Sequence, residues 1–182
     1  MTDRANTHSG DGDRLRDFAA VVETYEAPLL RYVRRMVASD DLAQDVVQNA
    51  FIRLYRRWTD PLSPSPQISA WLYRVAHNCA VDHLRNETRR RELHQRHAVE
   101  QPEHVGPNCG EGFHLSEAAE QVAAALQSLP LRDRQLVILK VYEEKSYKEI
   151  SDITGLSVSN VGYILHHAMR RLADELKRIR AL

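Results

Sequence analysis

Apolar residues recur at spacings of three and four from Leu15 to Leu176, and nowhere does an alternating apolar and polar run of strand length compete with that pattern. This periodicity constrains the chain most. It predicts an all-α protein whose helices are separated by punctuation residues, so the organisation follows from where the periodicity is interrupted.

The first apolar run, Leu15 to Val22, continues past Pro28 to Val37. Proline suits the first turn of a helix better than its interior, which predicts a kink or break near Ala27. Ser39-Asp40-Asp41 supplies an N-cap and early acidic charge for a helix running to about Trp58, and Pro61, Pro64 and Pro66 end that region. A long helix then starts near Ile68 and frays into the arginines after Arg89. From His97 to Leu115 the periodicity disappears while Pro102, Gly106, Pro107, Gly110 and Gly112 accumulate, the composition of a linker between domains. Further helices are expected from about Ser116 to Ser128 and from Leu131 to Glu143. Residues 1–13, polar and aperiodic, read as a disordered arm without a signal-peptide core. The expected architecture is two small helical domains, 14–96 and 116–182, joined by a flexible linker at 97–115.

The last part of the second domain is the most specific. Tyr147 to Thr154 form a short amphipathic helix, Gly155 breaks it, and Ser157 caps a second helix whose inner stripe is Val161, Leu165, Ala168 and Leu172, with Ile164 beside it. A helix-turn-helix of this kind lays its second helix in the major groove of DNA. On the outer side stand Ser159, Tyr163, His166 and Arg170, flanked by Asn160 and His167; such side chains donate to base edges and phosphates, and Arg170 with Arg171 can anchor the backbone. A three-helix domain with a polar outer face is the plainer account.

Charge over the 182 residues is balanced, with 25 basic against 25 acidic residues, so affinity for nucleic acid must come from local segregation of charge. The apolar fraction of 43% suffices for buried cores. Two cysteines cannot build a disulfide framework, and no apolar segment reaches the about 18 residues that a membrane span needs, which together suit a soluble chain in a reducing cytoplasm without membrane insertion.

On the helix after Asp41, Val47, Phe51, Leu54, Tyr55 and Trp58 share the core stripe, whereas Asp45, Asn49, Ile52, Arg53 and Arg56, with Gln48 at the border, form a mixed face opposite. That face suits solvent or a partner. On the next helix Ile68, Leu72, Val75, Ala76, Cys79 and His83 are expected inside, and Arg74, His77, Asn78, Val81 and Arg85 outside. Cys79 is then packing instead of chemistry. Arg85, Arg89, Arg90, Arg91 and Arg96 outnumber the acids near them and suit phosphates, and Trp71 and Tyr73 could stack on unpaired bases, although a tryptophan there is commonly core. His94, His97, His104, Cys109 and His114 match no regular zinc-ligand spacing, so no metal is expected.

With these residues in view, the chain resembles the extracytoplasmic-function (ECF) sigma factors, a branch of the sigma-70 family of bacterial RNA polymerase. Asp41-Leu42-Ala43-Gln44-Asp45-Val46-Val47-Gln48-Asn49-Ala50-Phe51, then Ala70 through Asn78 and Asp82-His83-Leu84-Arg85, resemble sigma region 2; Leu129-Pro130 through Tyr147-Lys148-Glu149-Ile150 to Leu172 resemble region 4. The resemblance implies that Asp45, Gln48, Asn49, Ile52, Arg53 and Arg56 meet the clamp helices of the polymerase beta-prime subunit. It implies that Trp71, Arg74, His77, Asn78, Arg85 and Arg89, with the loop from Pro61 to Gln67, melt and read the minus-ten element, Asn78 holding a flipped-out base. Ser157, Ser159, Asn160, Tyr163, His166, His167, Arg170 and Arg171 would read the minus-thirty-five duplex, the C-terminal domain would meet the beta flap, and the linker would run through the polymerase. An anti-sigma protein is a further partner common in the family. Two departures stand out: Asn49 replaces a usual acidic residue, and Gly162, Ile164, His167 and Met169 occupy positions where basic residues are common, which predicts few phosphate anchors.

The nearest rival is an ordinary helix-turn-helix regulator, which would bind duplex DNA without polymerase. A metal hydrolase would need clustered ligands and a positioned carboxylate, and no such motif, nucleophile elbow or phosphate loop is present. The chain is therefore read as a non-enzyme without a cofactor. In a third reading the two domains mask each other.

Overall fold

The computed structural model describes residues 7–58, 62–97 and 117–180, with side chains for 12–58, 62–90 and 117–179. Among the described residues seven α-helices follow one another: α1 (Thr7–Val37), α2 (Asp40–Arg57), α3 (Pro66–His97), α4 (Glu117–Ser128), α5 (Leu131–Val137), α6 (Tyr147–Thr154) and α7 (Val158–Arg180). A π-helical turn, Ile138–Tyr142, continues α5. Among the described residues there is no strand, in keeping with the three-to-four spacing.

Helices α1, α2 and α3 pack on one another as an N-terminal module, and α4 to α7 as a C-terminal one. The turn from α1 to α2 is two residues long. Ala38 adopts the left-handed conformation (φ +53°) that terminates α1, and its N–H donates to Arg34 O (2.8 Å). Ser39 then caps α2, its Oγ accepting from Leu42 N. Pro66 occupies the first position of α3 instead of ending the region before it, behind Ser65, whose Oγ accepts from Ile68 N.

Two expectations about α1 are corrected. No break occurs near Ala27, because Pro28 lies inside a continuous helix. Losing one backbone bond there costs about 3 kcal/mol, but Leu29, Tyr32, Val33 and Met36 are fully buried beyond it and each gains roughly 1.5–3 kcal/mol. The arm is also shorter than 1–13, since α1 already runs from Thr7; once Arg14 and Phe18 dock on α2, each added residue propagates the helix with a new hydrogen bond. Residues 1–6 lie outside the described part.

The expected linker begins inside helix, because α3 extends to His97, and 98–116 lie outside the described residues. So do His104, Cys109 and His114, with the side chains of His94 and His97. The helix expected from Leu131 to Glu143 closes as a π turn, Glu143 N donating to Ile138 O five residues back (3.1 Å).

The C-terminal helices form where their caps predict. Ser146 and Glu149 make a reciprocal capping box at the start of α6 (2.8 and 3.2 Å), Gly155 ends it at φ +74°, and Ser157 Oγ accepts from Asn160 N at the start of α7. Val161, Leu165, Ala168 and Leu172 are buried as the periodicity requires.

Candidate functional site

The three predicted faces meet different fates. On α2 all six candidates, Asp45, Gln48, Asn49, Ile52, Arg53 and Arg56, are exposed, and Ile52 leaves an isoleucine 40% in water. The buried stripe behind them is broader than the sequence suggests: Ala43, Val46 and Ala50 join Val47, Phe51 and Leu54, while Tyr55 and Trp58 are only half-buried. Between α1 and α2 lies a groove of about 980 Å³, with Leu15, Phe18, Val22 and Leu30 on one wall and Gln48, Phe51, Ile52 and Tyr55 on the other. The α1 wall was missed from the sequence. Its signal was present as a second apolar stripe of Leu15, Phe18 and Val22 at helical spacing.

Arg14 braces this groove. Its guanidinium donates to Tyr55 O (2.7 Å) and Trp58 O (3.0 Å) and lies 4.7 Å from the Tyr55 ring centroid, so a cation caps the carbonyl end of α2 where the helix dipole favours one. Asn49 donates its amide to Asp45 O one turn back (2.8 Å), and its side chain is thereby spent on its own helix.

Helix α3 differs from expectation at three positions. His83 is exposed, not buried. Tyr73, offered as a base-stacking residue, is 1% exposed and packs edge-on to Tyr32 (5.2 Å between centroids). His77 is half-buried with its Nδ1 3.1 Å from Tyr32 Oη; burial, aided by the charge of Arg85, pushes its pKa down to about 4, so the ring is neutral. His77 is closed off by Tyr32 of α1, and Tyr73 by Glu143 across the seam with the C-terminal module, neighbours that a single helical wheel does not show. Arg74 is drawn into the same contact, its Nε donating to Ile153 O (3.1 Å) and its Nη2 to Asp152 O at the end of α6. Asn78, Arg85 and Arg89 stand in solvent, and Trp71 is half-buried against the core. Cys79 is buried, and burial raises its thiol pKa, as packing requires.

On α7 every candidate is exposed, with Ser157 just before it. Tyr163, 66% in water, lies 4.5 Å from the ring of His167, which meets His166 at 5.5 Å, giving a contiguous aromatic surface. Arg171 is engaged by Asp133 of α5 at 2.8 Å. At Gly162 a Cβ would come to 3.4 Å from the exposed Tyr147 ring, close to ordinary contact. Among the described residues no group of three His, Cys, Asp or Glu side chains could hold a metal ion, and no helix is long and apolar enough to cross a membrane.

Comparison with known proteins matches this two-module layout. Residues 21–90 match the model of sigma-70 region 2 and residues 119–172 that of sigma-70 region 4. The RNA polymerase sigma-E factor of Streptomyces avermitilis is 30% identical over 163 residues, covering 88% of this chain and 86% of that protein. The ECF RNA polymerase sigma-E factor of Escherichia coli is 31% identical over 173 residues, covering 91% and 89%. In fold the chain is similar to the sigma factor RpoE crystallised with the anti-sigma factor NepR from Bartonella quintana (TM-score 0.66, 21% identity, 89% of this chain and 98% of that one). It is also similar to CnrH in complex with the cytosolic domain of CnrY (TM-score 0.62, 22% identity, 90% of each chain).

The chain belongs to the sigma-70 family, in its extracytoplasmic-function branch. It is a sigma factor, a non-enzymatic initiation factor that directs RNA polymerase to promoters.

Proposed function

We propose that the exposed face of α2, with the groove beside it, is the surface that meets the clamp helices of the polymerase beta-prime subunit. Asp45, Gln48 and Asn49 rim it, Ile52 supplies the apolar contact, and Arg53 and Arg56 supply charge. The observation that carries this reading is the pairing of a fully solvated mixed face with an apolar groove that no described residue fills. A half-buried aromatic wall beside a polar rim is the anatomy of an association surface.

Helix α3 then handles the minus-ten element. Asn78, exposed between Arg74 and Arg85, offers both an amide donor and a carbonyl acceptor to the edge of an unstacked base, and Trp71 its ring face. Unstacking costs a few kcal/mol, which a fitted base contact and stacking can offset. Arg85 and Arg89 hold the phosphates. Helix α7 reads duplex at minus-thirty-five through Ser159, Asn160, Tyr163, His166 and His167, with Ser157, Arg170 and Arg171 on the backbone. The C-terminal module docks on the beta flap, and the protein works in the cytoplasm. An anti-sigma protein is a further partner: of two solved structures similar in fold, one is a sigma factor bound to an anti-sigma factor and the other is CnrH bound to the cytosolic domain of CnrY.

Transcription in vitro with core polymerase and a promoter library tests the whole reading. The chain is expected to confer start-site selection, with selected promoters sharing two spaced elements; a chain that binds duplex DNA alone and copurifies with no polymerase is an ordinary regulator instead. Asn78→Ala is expected to lower open-complex formation about tenfold, the worth of one base contact, with core binding unchanged. Lost core binding would remove Asn78 from its assigned place.

A further inference from the structure

Two side chains of α1 hold the two ends of the connection from α2 to α3. Arg14 donates to the carbonyl of Trp58, the residue that closes α2 (3.0 Å), and Tyr25 Oη donates to the carbonyl of Ser65, the residue that caps α3 (3.0 Å). Burial raises the Tyr25 pKa, so its hydroxyl keeps the proton it donates. Arg14 and Tyr25 are 11 residues apart. That is three helical turns and roughly 20° over, so both stand on one face of the same rod, about 16 Å apart along its axis. Between them Phe18 meets Tyr55 edge-on (5.1 Å between centroids) and Val21 is fully buried, which seats that face on the bundle. One straight helix therefore sets the spacing of both fastenings.

The described residues between the fastenings are themselves constrained. Leu62 is buried in the core. Pro64 and Pro66 each lock φ at about −65°, and Ser65 Oγ accepts from Ile68 N. Beside these fixed points Ser63 and Gln67 are exposed, a hydroxyl and an amide that can each both donate and accept. Gln67, Trp71, Arg74 and Asn78 then recur at spacings of four, three and four, a single stripe of α3. The end of the connection is thus continuous with the helix face assigned to the minus-ten element.

Hydrogen bonds that discriminate between bases need their side chains held within about 0.5 Å, which rigid elements supply better than loops do. A connection without secondary structure of its own needs outside support, and the contacts of Arg14 and Tyr25 provide it.

We infer that Arg14 and Tyr25 are positioning residues for base selection: α1 is a splint that holds the 62–67 segment where Ser63 and Gln67 meet minus-ten bases beside Asn78. This role rests on the assignment of α3 and the segment before it to the minus-ten element. Arg14 and Tyr25 act through that segment and do not touch DNA.

The test uses holoenzyme, the full chain with core polymerase, on a barcoded promoter pool randomised through both elements, so that sequencing the transcripts reads the base preference at every position. The variants are Tyr25→Phe, which removes one hydroxyl and keeps the ring, and Tyr25→Phe combined with Arg14→Met. Preferences are ratios within one holoenzyme, so a variant that merely folds less well lowers the yield and leaves them intact. Minus-ten preferences are expected to flatten about threefold in Tyr25→Phe, the effect of one hydrogen bond, and about tenfold in the pair, with minus-thirty-five preferences unchanged. Minus-ten preferences that stay sharp in both variants would overturn the splint, and so would equal flattening at both elements, which marks a general loosening. Asn78→Ala in the same pool separates the two readings. If it alone flattens the minus-ten preferences, the α3 assignment stands and only the splint falls; if none of the three variants does, the assignment falls too.

Discussion

Helices α3 and α7 each carry a polar face assigned to promoter DNA, yet the chain treats them differently. On α3 Tyr73 and His77 are drawn into packing or hydrogen bonds and Arg74 is spent on the end of α6, while Asn78, Arg85 and Arg89 stand in water. On α7 everything from Ser159 to Arg170 on the outer side stands in water. The difference teaches that a polar helical face is defined by what packs on it, and that the face proposed for opened DNA is the one that neighbouring elements partly cover. Duplex is available before polymerase arrives, whereas single strands appear only after melting.

The largest expected break in this contrast is at Arg134. It is 7% exposed, its charge lies among apolar helices, and it donates to Met36 O (2.7 Å) across the seam as well as to Gln127 and Leu129 O. Arg134→Met leaves those carbonyls buried without a donor, which should cost about 3 kcal/mol. Urea denaturation measures it. A loss below about 1 kcal/mol, within the range of an ordinary surface contact, would mean that the seam is not fastened there and that the covering of α3 is incidental.

Much of the architecture was legible because its signals are local. Ser39, Gly155 and Ser157 each act within four residues of themselves, and the helix boundaries fall where they place them; the Ser146 and Glu149 capping box is equally local but went unread. The α2 and α7 faces were legible for the same reason: each buries one stripe against its own module and nothing further covers it. The errors are long-range. Pro28 misled because the burial that outweighs it comes from contacts with α2 and α3, and Tyr73 because Glu143, 70 positions away, bonds to it across the seam; His83 is simply left in solvent. Glu143 had no sequence signal at all, since its importance arises only where three helices converge.

A smaller effect comes from His77, the sealed counterpart of the histidines in the open α7 cluster. The groups facing it are Tyr32 Oη from α1 and Arg85 from its own helix; burial first, then Arg85, lower its pKa from 6.5 to about 4. The folded chain therefore holds fewer protons there than the unfolded one. His77 contributes fully above pH 6.5, its contribution falls as the pH drops toward 4, and below that it changes no further. The loss is about 3 kcal/mol, read as the pH dependence of stability in the wild type that is missing from His77→Gln. A pH profile identical in the variant would place His77 in water and reopen the α3 face.

The finest distinction concerns Arg171, which the open face only half owns. Asp133 holds its guanidinium at 2.8 Å, with 61% of the arginine side chain and 14% of the aspartate exposed. As an exposed ion pair it should matter little to folding, and Arg171→Ala is expected to cost about 0.5 kcal/mol. Two roles then predict different salt behaviour. If Arg171 leaves Asp133 for a phosphate, its removal should lower the slope of log affinity against log salt by about 0.9 for binding of promoter duplex by the polymerase complex. If it stays, its part is to fix α7 against α5, the slope is unchanged, and affinity falls equally at every salt concentration. Arg170, exposed on the outer side of α7, provides the reference. An unchanged slope in Arg170→Ala as well would show that this helix reads duplex almost wholly through Ser159, Asn160 and its Tyr163, His166 and His167 surface, as the scarcity of basic residues at Gly162, Ile164, His167 and Met169 leads one to expect.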